Sequence, residues 1–591
     1  MAFPTGWTKK HKLSIDYTKV SGTDNLVNFP VLLTQDNFLT EVFDHTQGQE
    51  IFYNYLYADD ALEGYWRLES DGTDSSPNGY TLVAGNLPEG YVAGKFGNGA
   101  DFEASNSDYL KIDNASCPNL EISGSQTWQM WIKGESFADG GYNVCMTKRS
   151  ATVPRGFTIY SNGIYFDCGG LSDDTCGNEY GNFVTGVWYH CVYVFDAAAG
   201  KSKLFINGVK HEESVTGTMS TSTGDFTLGG TPVHNQYFDG VMDDCAIWSR
   251  ALTDAEVVGL YKGGMDLRFS SDDAGATELA FEIVDWNNVD NTAEVWVKIP
   301  SVSYTANTVF YVWYDNPTAL PYAKNDTYGS DNAWESNFKG VWHMPDYATT
   351  NIADSTANGN TGTKKGLGEP AELAASKIGK GQNFDGSNDY ISVASHSSLD
   401  ITGHITLSAW VQVDNIVNYA KVIVKPSGAG WSSPYFYYSL GACSTAIVGQ
   451  FAVNTNSNEI NSGSSYSLDT WYYISGTYDG TNERLYINGS EVNSKGVTGA
   501  ISTSTQPLCI GMRSVTSAGE GTDGYIDEVR VTAEARTAGW LMTEYNNQSN
   551  PATFIIESAG IAKVSSVTRT NIGKILGKYQ SNIDKVATAS F

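Results

Sequence analysis

The sequence predicts an all-β protein built from several modules. Three observations point there: a residue mix suited to sheets, an internal duplication of about 200 residues, and hairpin turns at matching places in the two copies. Aromatic residues make up 13% of the chain, with 35 Tyr and 15 Trp, whereas charged residues reach only 17% and Gly numbers 61. Aromatic side chains pack well on pleated surfaces and Gly supplies turn conformations, so this mix favours twisted sheets over helices. At 591 residues the chain exceeds one core and fits roughly three or four domains of ~100–200 residues.

The duplication is read by setting the chain against itself. EGYWRLESDGTDSSPNGYTL answers to KGVWHMPDYATTNIADSTANGNTG, GKFGNGADFEASNSDYLKI to SKIGKGQNFDGSNDYISV, and TWQMWIKGES to TLSAWVQVDN. VWYHCVYVFDAAAGKSKLFINGVKHE then answers to TWYYISGTYDGTNERLYINGSEVN, and FDGVMDDCAIWSRALTDAEVVGLY to TDGYIDEVRVTAEARTAGWLMTEY. Order is kept throughout, which chance does not produce. Leu204 and Ile206 alternate with Phe205 and Asn207, as Leu485 and Ile487 do with Tyr486 and Asn488, the period of a strand. Asn207-Gly208 and Asn488-Gly489 are hairpin signals, because a two-residue turn of the favoured hand needs positive φ at both positions.

The ordered motifs W-Y-x-x-x-x-x-Y/F-D, L-Y/F-I-N-G and D-G-x-x-D-[DE], followed by a short helical segment, resemble the concanavalin-A-like or laminin-G-like jelly rolls of lectins, glucanases and adhesion modules. The resemblance covers about residues 61–263 and 334–548. It implies two jelly-roll sandwiches, at 61–263 and 326–548.

The flanks read as strands too. Residues 7–57 and 265–317, the latter with alternation along Ala293–Ile299, resemble the two halves of one small β-domain of unknown function found in microbial surface and phage proteins. The strings D-L-R-F, V-W-V-K-I-P and Y-D-N-P carry that likeness. The implied organisation is a domain split into 1–60 and 264–325, with the first jelly roll inserted. A jelly roll with neighbouring end strands can be inserted at a surface loop without pulling its host apart. Residues 549–591 are then a linker and tail, in which Ile561-x-Lys563, Ile572-x-Lys574 and Ile583-x-Lys585 repeat at a spacing of eleven. The tail resembles the ends of some phage structural proteins and is expected either to be disordered or to dock the chain on a particle or sister subunit.

Composition removes several functions. With 36 basic and 66 acidic residues the net charge is −30, which repels a phosphate backbone, so no nucleic acid is expected. The acidity fits solubility, cation binding or a basic partner. No stretch approaches the ~20 apolar residues that span a bilayer, so no membrane insertion is expected. The opening MAFPTGWTKKHKLSIDY lacks the apolar core of a signal peptide; a phage protein freed by lysis needs none. The eight cysteines include no CxxC pair, so zinc is not expected. Cys168 and Cys176 could close a small loop, but buried thiols are the expectation, since jelly rolls of this size have core enough without staples.

No enzyme is expected. Glucanases on this fold display paired carboxylates as E-x-D-x-E or E-x-D-x-x-E along one strand, and that spacing is missing. Glu282 to Asp285 is the wrong interval, and strict alternation puts Asp527 and Glu528 on opposite sheet faces. No Gly-x-Ser-x-Gly elbow, H-E-x-x-H helix or phosphate loop occurs.

The resemblance brings two kinds of candidate site. Many such jelly rolls bind calcium, which wants about six to eight oxygens; the candidate ligands are Asp74, Asp243, Asp244, Asp354, Asp527 and Glu528, with turn-making as the equal alternative. A sugar needs an aromatic platform beside planar donors and acceptors, and the candidates are Trp431 and Tyr435 in the second copy and Tyr142, Tyr180 and Tyr237 in the first. The expected function is recognition of cell-surface glycans from the outside of a virion, with duplication adding avidity and a homo-oligomer as the expected state. A purely structural assembly subunit and a microbial cell-surface adhesin are the alternatives.

Overall fold

The computed structural model describes residues 3–557 except 4, 46–60, 87, 89, 97, 138–140, 161–162, 174, 181–182, 265, 288–290, 317–318, 320–321, 347–349, 366–369, 374–375, 429–433, 444–446, 456–458 and 514–520. Antiparallel strands dominate it. Lys9–Ile15 pairs with Thr308–Tyr314, Leu13 lying opposite Phe310, and Leu26–Thr34 pairs with Thr292–Val302, Val31 lying opposite Val297. The two flanking segments therefore interleave strand by strand across the whole first jelly roll. They form a sandwich of a five-stranded and a three-stranded sheet around Leu13, Ile15, Phe29, Val31, Val295, Val297, Phe310 and Val312.

A third piece completes this domain. Ile555–Glu557 adds to the free edge of Lys9–Ile15, with Ile15 opposite Ile555, and the Asp16 N–H donates to the Phe554 carbonyl at 2.9 Å. Asn547 holds both backbone groups of Leu32, accepting from its N–H at 2.7 Å and donating to its carbonyl at 3.0 Å. Residues 549–557, read from the sequence as linker, are thus structural. An unpaired strand edge is costly to leave exposed, and this segment covers it. The Ile561-to-Lys585 repeat lies outside the described residues.

Each jelly roll stacks two antiparallel sheets, of eight and seven strands in the first copy and eight and eight in the second. In the first, the opening strand Leu62–Trp66 pairs with the closing strand Gly240–Trp248, and the Ser249 N–H donates to the Ala61 carbonyl at 2.8 Å. The chain enters and leaves at one point, which is what makes the insertion possible. The hairpins turn as expected: Asn207 and Gly208 have φ of 50° and 77°, Asn488 and Gly489 of 51° and 76°. Helix Asp254–Lys262 starts with a Thr253/Glu256 capping box and helix Ala538–Ser549 with a Thr537 cap. Cys117, Cys145, Cys168, Cys176, Cys191, Cys245 and Cys509 are buried free thiols.

The matching outer sheet faces of the two copies have different cover. In the first, Tyr65, Trp131 and Phe205 pack under Val257 and Leu260 of the domain's own helix. In the second, Val341, Trp410, Tyr473 and Tyr486 pack with Trp540 and Leu541 of that copy's own helix and in addition join Phe29 and Trp296 of the split domain in one apolar cluster. That second face is an intramolecular interface.

Candidate functional site

Asp74 and Asp354 occupy the same place in the two copies and do the same work. Asp354 accepts backbone N–H groups from Val341 at 3.0 Å, Thr356 at 3.0 Å and Asn360 at 2.7 Å, and the Thr356 hydroxyl at 2.9 Å. Asp74 accepts Tyr65 and Ser76 at 2.8 Å, Tyr80 at 2.6 Å and the Ser76 hydroxyl at 2.8 Å. Burial raises both carboxyls above the usual range despite these donors. With their lone pairs spent on N–H groups, these residues hold a turn and are poorly disposed to ligate a hard cation.

Asp243-Asp244 and Asp527-Glu528 lie on the closing strands, fully buried. Alternation fails here: the register slips at each pair, and Asp244 and Glu528 have φ of 44° and 50°. A bulge of this kind re-aims neighbouring side chains, so members of each pair act on one another rather than facing apart. Asp243 accepts N–H groups from Lys95 at 2.7 Å and Phe96 at 2.9 Å; burial and Asp244 push its carboxyl up to about 9. Asp527 accepts the Ile378 N–H at 2.8 Å, and burial and Glu528 drive it far up. Tyr65 donates its hydroxyl to Asp244. Among the described residues, Asp74, Asp243, Asp244, Asp354, Asp527 and Glu528 do not converge on one another as a ligand group.

Glu528 instead belongs to a buried polar cluster at the seam with the split domain. His343 Nδ1 lies 2.5 Å from Glu528 Oε1 and 3.5 Å from Glu294 Oε1, and its Nε2 lies 3.4 Å from Glu282 Oε2. Arg530 bonds the other Glu528 oxygen at 2.7 Å and also Glu544. Against the cost of burial, Glu528 and Glu282 raise the His343 pKa, while His343 and Arg530 hold Glu528 low. Burial pushes Glu294 up to about 8. Among the described residues, Glu294, His343 and Glu528 are the group whose donor atoms converge as metal ligands do.

The aromatic candidates separate. Trp431 lies outside the described residues, as does the side chain of Tyr180, whose backbone pairs with Ile164. Tyr435 is half-buried against Val424, Phe436 and Ala452, and Tyr237 lies 6.2 Å from Tyr109. Tyr142 differs. It is 47% exposed, opposite Tyr160 in the register, with ring centroids 4.8 Å apart.

Around it the hairpin Arg155–Tyr160 and Gly163–Cys168 turns Phe157, Ile159, Ile164 and Phe166 into the core, which places Thr158, Tyr160, Tyr165 and Asp167 on the other side, where Thr158 and Asp167 are buried and the two tyrosines half-buried. There Thr158 donates to Asp167 at 3.1 Å, and Asp167 pairs with Arg149. Burial, with Asp167 next, pushes the Tyr165 hydroxyl up to about 12. Rings beside a planar carboxylate–guanidinium pair are what a pyranose needs. The sequence reading missed Tyr160, Tyr165, Thr158, Arg149 and Asp167, although the alternation of TIYSNGIYFD carries all of them but Arg149.

Residues 104–258 and 385–541, together just over half of the chain, match the model of the concanavalin A-like lectin/glucanases superfamily. The chain belongs to this superfamily. The superfamily matches cover most of each jelly roll, and between them residues 263–329 match a domain of unknown function, DUF2341, which is the returning half of the split domain. No curated protein matches the chain.

Among solved structures similar to the chain, domain 4 of AbnA, a GH43 extracellular arabinanase of Geobacillus stearothermophilus in complex with arabinotriose, is 18% identical. It covers 36% of this chain and 99% of its own, with a TM-score of 0.29. The binding domain of Paraclostridial Mosquitocidal Protein 1 is 14% identical over 35% of this chain and 52% of its own, with a TM-score of 0.28; the chain spans about half of that domain. Domains LG4-5 of the mouse laminin alpha1 chain are 12% identical over 77% of this chain and 95% of their own, with a TM-score of 0.22.

Proposed function

We propose that the chain is a non-enzymatic glycan-binding protein that takes sugar on the outer face of the first jelly roll's seven-stranded sheet. The carrying observation is the exposed Tyr142 beside the half-buried Tyr160 and Tyr165, on a side away from the core where Thr158 and Asp167 are buried and Arg149 is half-buried in its pair with Asp167. Superfamily membership supports a lectin-like role. Because Asp167 neutralises Arg149 and the whole chain carries −30, a neutral pyranose suits the face better than a polyanion.

The reading extends to a protein displayed on a virion surface, with the Ile561–Lys585 repeat as its anchor; this part rests on the sequence of the tail. No helix among the described residues is long and apolar enough to cross a membrane. The docked outer face of the second jelly roll favours a second reading, in which such faces serve assembly alone.

A glycan array on the full chain, followed by calorimetry, tests the proposal. Tyr142→Ala and Tyr160→Ala are each expected to weaken binding to the selected sugar by about 1 kcal/mol, roughly fivefold, while Tyr237→Ala leaves it unchanged. Absence of binding to any glycan, or binding indifferent to both variants, would move the weight to the assembly reading.

A further inference from the structure

We propose that Glu294, His343 and Glu528 hold a divalent transition-metal ion that staples the split domain to the second jelly roll, zinc being the best match. The three side chains come from two modules. Glu294 projects from Thr292–Val302 of the split domain, His343 follows the jelly roll's opening strand Phe338–Trp342, and Glu528 sits at the bulge of its closing strand Asp523–Thr532. Their donor atoms all lie within 4.8 Å of one another and all three residues are buried.

A zinc ion sits at ~2.0–2.2 Å from nitrogen and oxygen donors, so small outward shifts of the two carboxylates from His343 Nδ1 make room for it. One imidazole with two carboxylates is a donor set for zinc or manganese; calcium wants about six to eight oxygens and little nitrogen.

Charge is the second, independent observation. Glu282, Glu294, Asp527, Glu528 and Glu544 are buried together with His343 and Arg530, and half-buried Lys377 stands beside Asp527. Five carboxyls thus face three basic groups in a space walled by Trp296 and Trp334, whose ring centroids each lie 5.5 Å from His343. With every group ionised the cluster holds two more negative than positive charges, an excess that burial tolerates only when protons on Glu294 and Asp527, whose carboxyls are raised, or a bound cation offset it. Glu282 accepts from Trp334 at 2.6 Å and Ser355 at 2.7 Å, Glu544 from Tyr473 at 2.6 Å, and Glu294 from Trp296 at 3.1 Å, while Glu528 pairs with His343 and Arg530. Asp527 Oδ1 has no hydrogen-bond partner among the described residues.

The third observation is the comparison inside the chain. At the positions of His343, Glu528 and Arg530 the first copy has Arg67, Asp244 and Ala246, and Arg67 pairs with Glu69 at 3.2 Å. The triad is therefore special to the docked copy and is completed only by the split domain. A metal bound by the joined but not the separated modules stabilises their junction by mass action.

The test is elemental analysis of the full chain, purified without metal-affinity steps from zinc- and manganese-supplemented medium, with melting curves before and after chelator treatment under mild denaturant. About one ion per chain is expected, with a chelator-induced fall in melting temperature reversed by zinc chloride. Glu294→Gln should lose the ion and melt lower. Glutamine also mimics a protonated glutamate, so a metal-free wild type whose melting temperature is matched or exceeded by Glu294→Gln would overturn the proposal in favour of protons carrying the charge balance. Glu528→Gln supplies the second metal measurement. None of these readouts depends on sugar binding.

Discussion

Asp354 and Asp243 show how one residue type acquires different jobs from its donors. Asp354 is saturated by three backbone N–H groups and a hydroxyl. Replacing it with Ala leaves those buried N–H groups without an acceptor, at about 1–3 kcal/mol each. Asp354→Ala is therefore expected to lower the melting temperature of the full chain by many degrees, and Asp354→Asn by less, because an amide oxygen still accepts; calorimetry checks both. Asp243 has two N–H donors and a carboxylate neighbour, and its pKa is raised from 3.8 to about 9. A carboxyl raised in the folded state contributes stability that is present below about pH 4 and is lost as pH rises toward 9. Asp243→Asn keeps an acceptor for the Lys95 and Phe96 N–H groups and removes the charge that Asp244 opposes. The variant should match wild type near pH 4 and exceed it at pH 8, by on the order of 1 kcal/mol; equal pH slopes in urea melts would sink this account.

At the scale of elements, the strands and hairpins were legible in the sequence and the faces they bury were legible only in part. Asn207-Gly208 and Asn488-Gly489 turn as their chemistry demands, because positive φ is a local requirement that no tertiary context overrides. The Ala293–Ile299 alternation was correctly read as a strand, but alternation assumes one wet face. Here Glu294 and Trp296 are buried as well, since a second jelly roll lies against that side, and period alone cannot report a neighbour on both faces. The bulges at Asp244 and Glu528 defeated strict alternation for the same reason: an extra residue in one strand is set by its partner. The sugar-face hairpin was within reach, because Thr158, Tyr160, Tyr165 and Asp167 alternate with core residues on either side of Asn162-Gly163. Of the candidate sugar-binding residues whose side chains are described, Tyr142 alone falls on this face.

At the scale of the whole molecule, the small split domain is the organising body. It hosts the first jelly roll as an insertion, packs a sheet face of the second, and takes its last edge strand from beyond that second copy. Such closure couples modules that the sequence presents as beads on a string, and it predicts where the chain can be cut. Removing residues 558–591 leaves every described contact in place, so the melting profile should be unchanged, and any loss would be one of particle or subunit incorporation. Removing residues 551–591 takes away the Ile555–Glu557 strand, the Phe554 carbonyl that pairs with Asp16 and the Pro551 carbonyl that accepts from Asn37. It also strips Phe554 and Ile555 from the core that the split domain shares with the second jelly roll. Burial of two such side chains is worth about 3–6 kcal/mol, a large part of the stability of a domain this small. The longer truncation should therefore melt well below the shorter one and expose the amides of Lys9–Ile15 to hydrogen exchange. If both truncations melt alike, the C-terminal strand is an ornament on an already closed domain, and the modules are less coupled than their shared core implies.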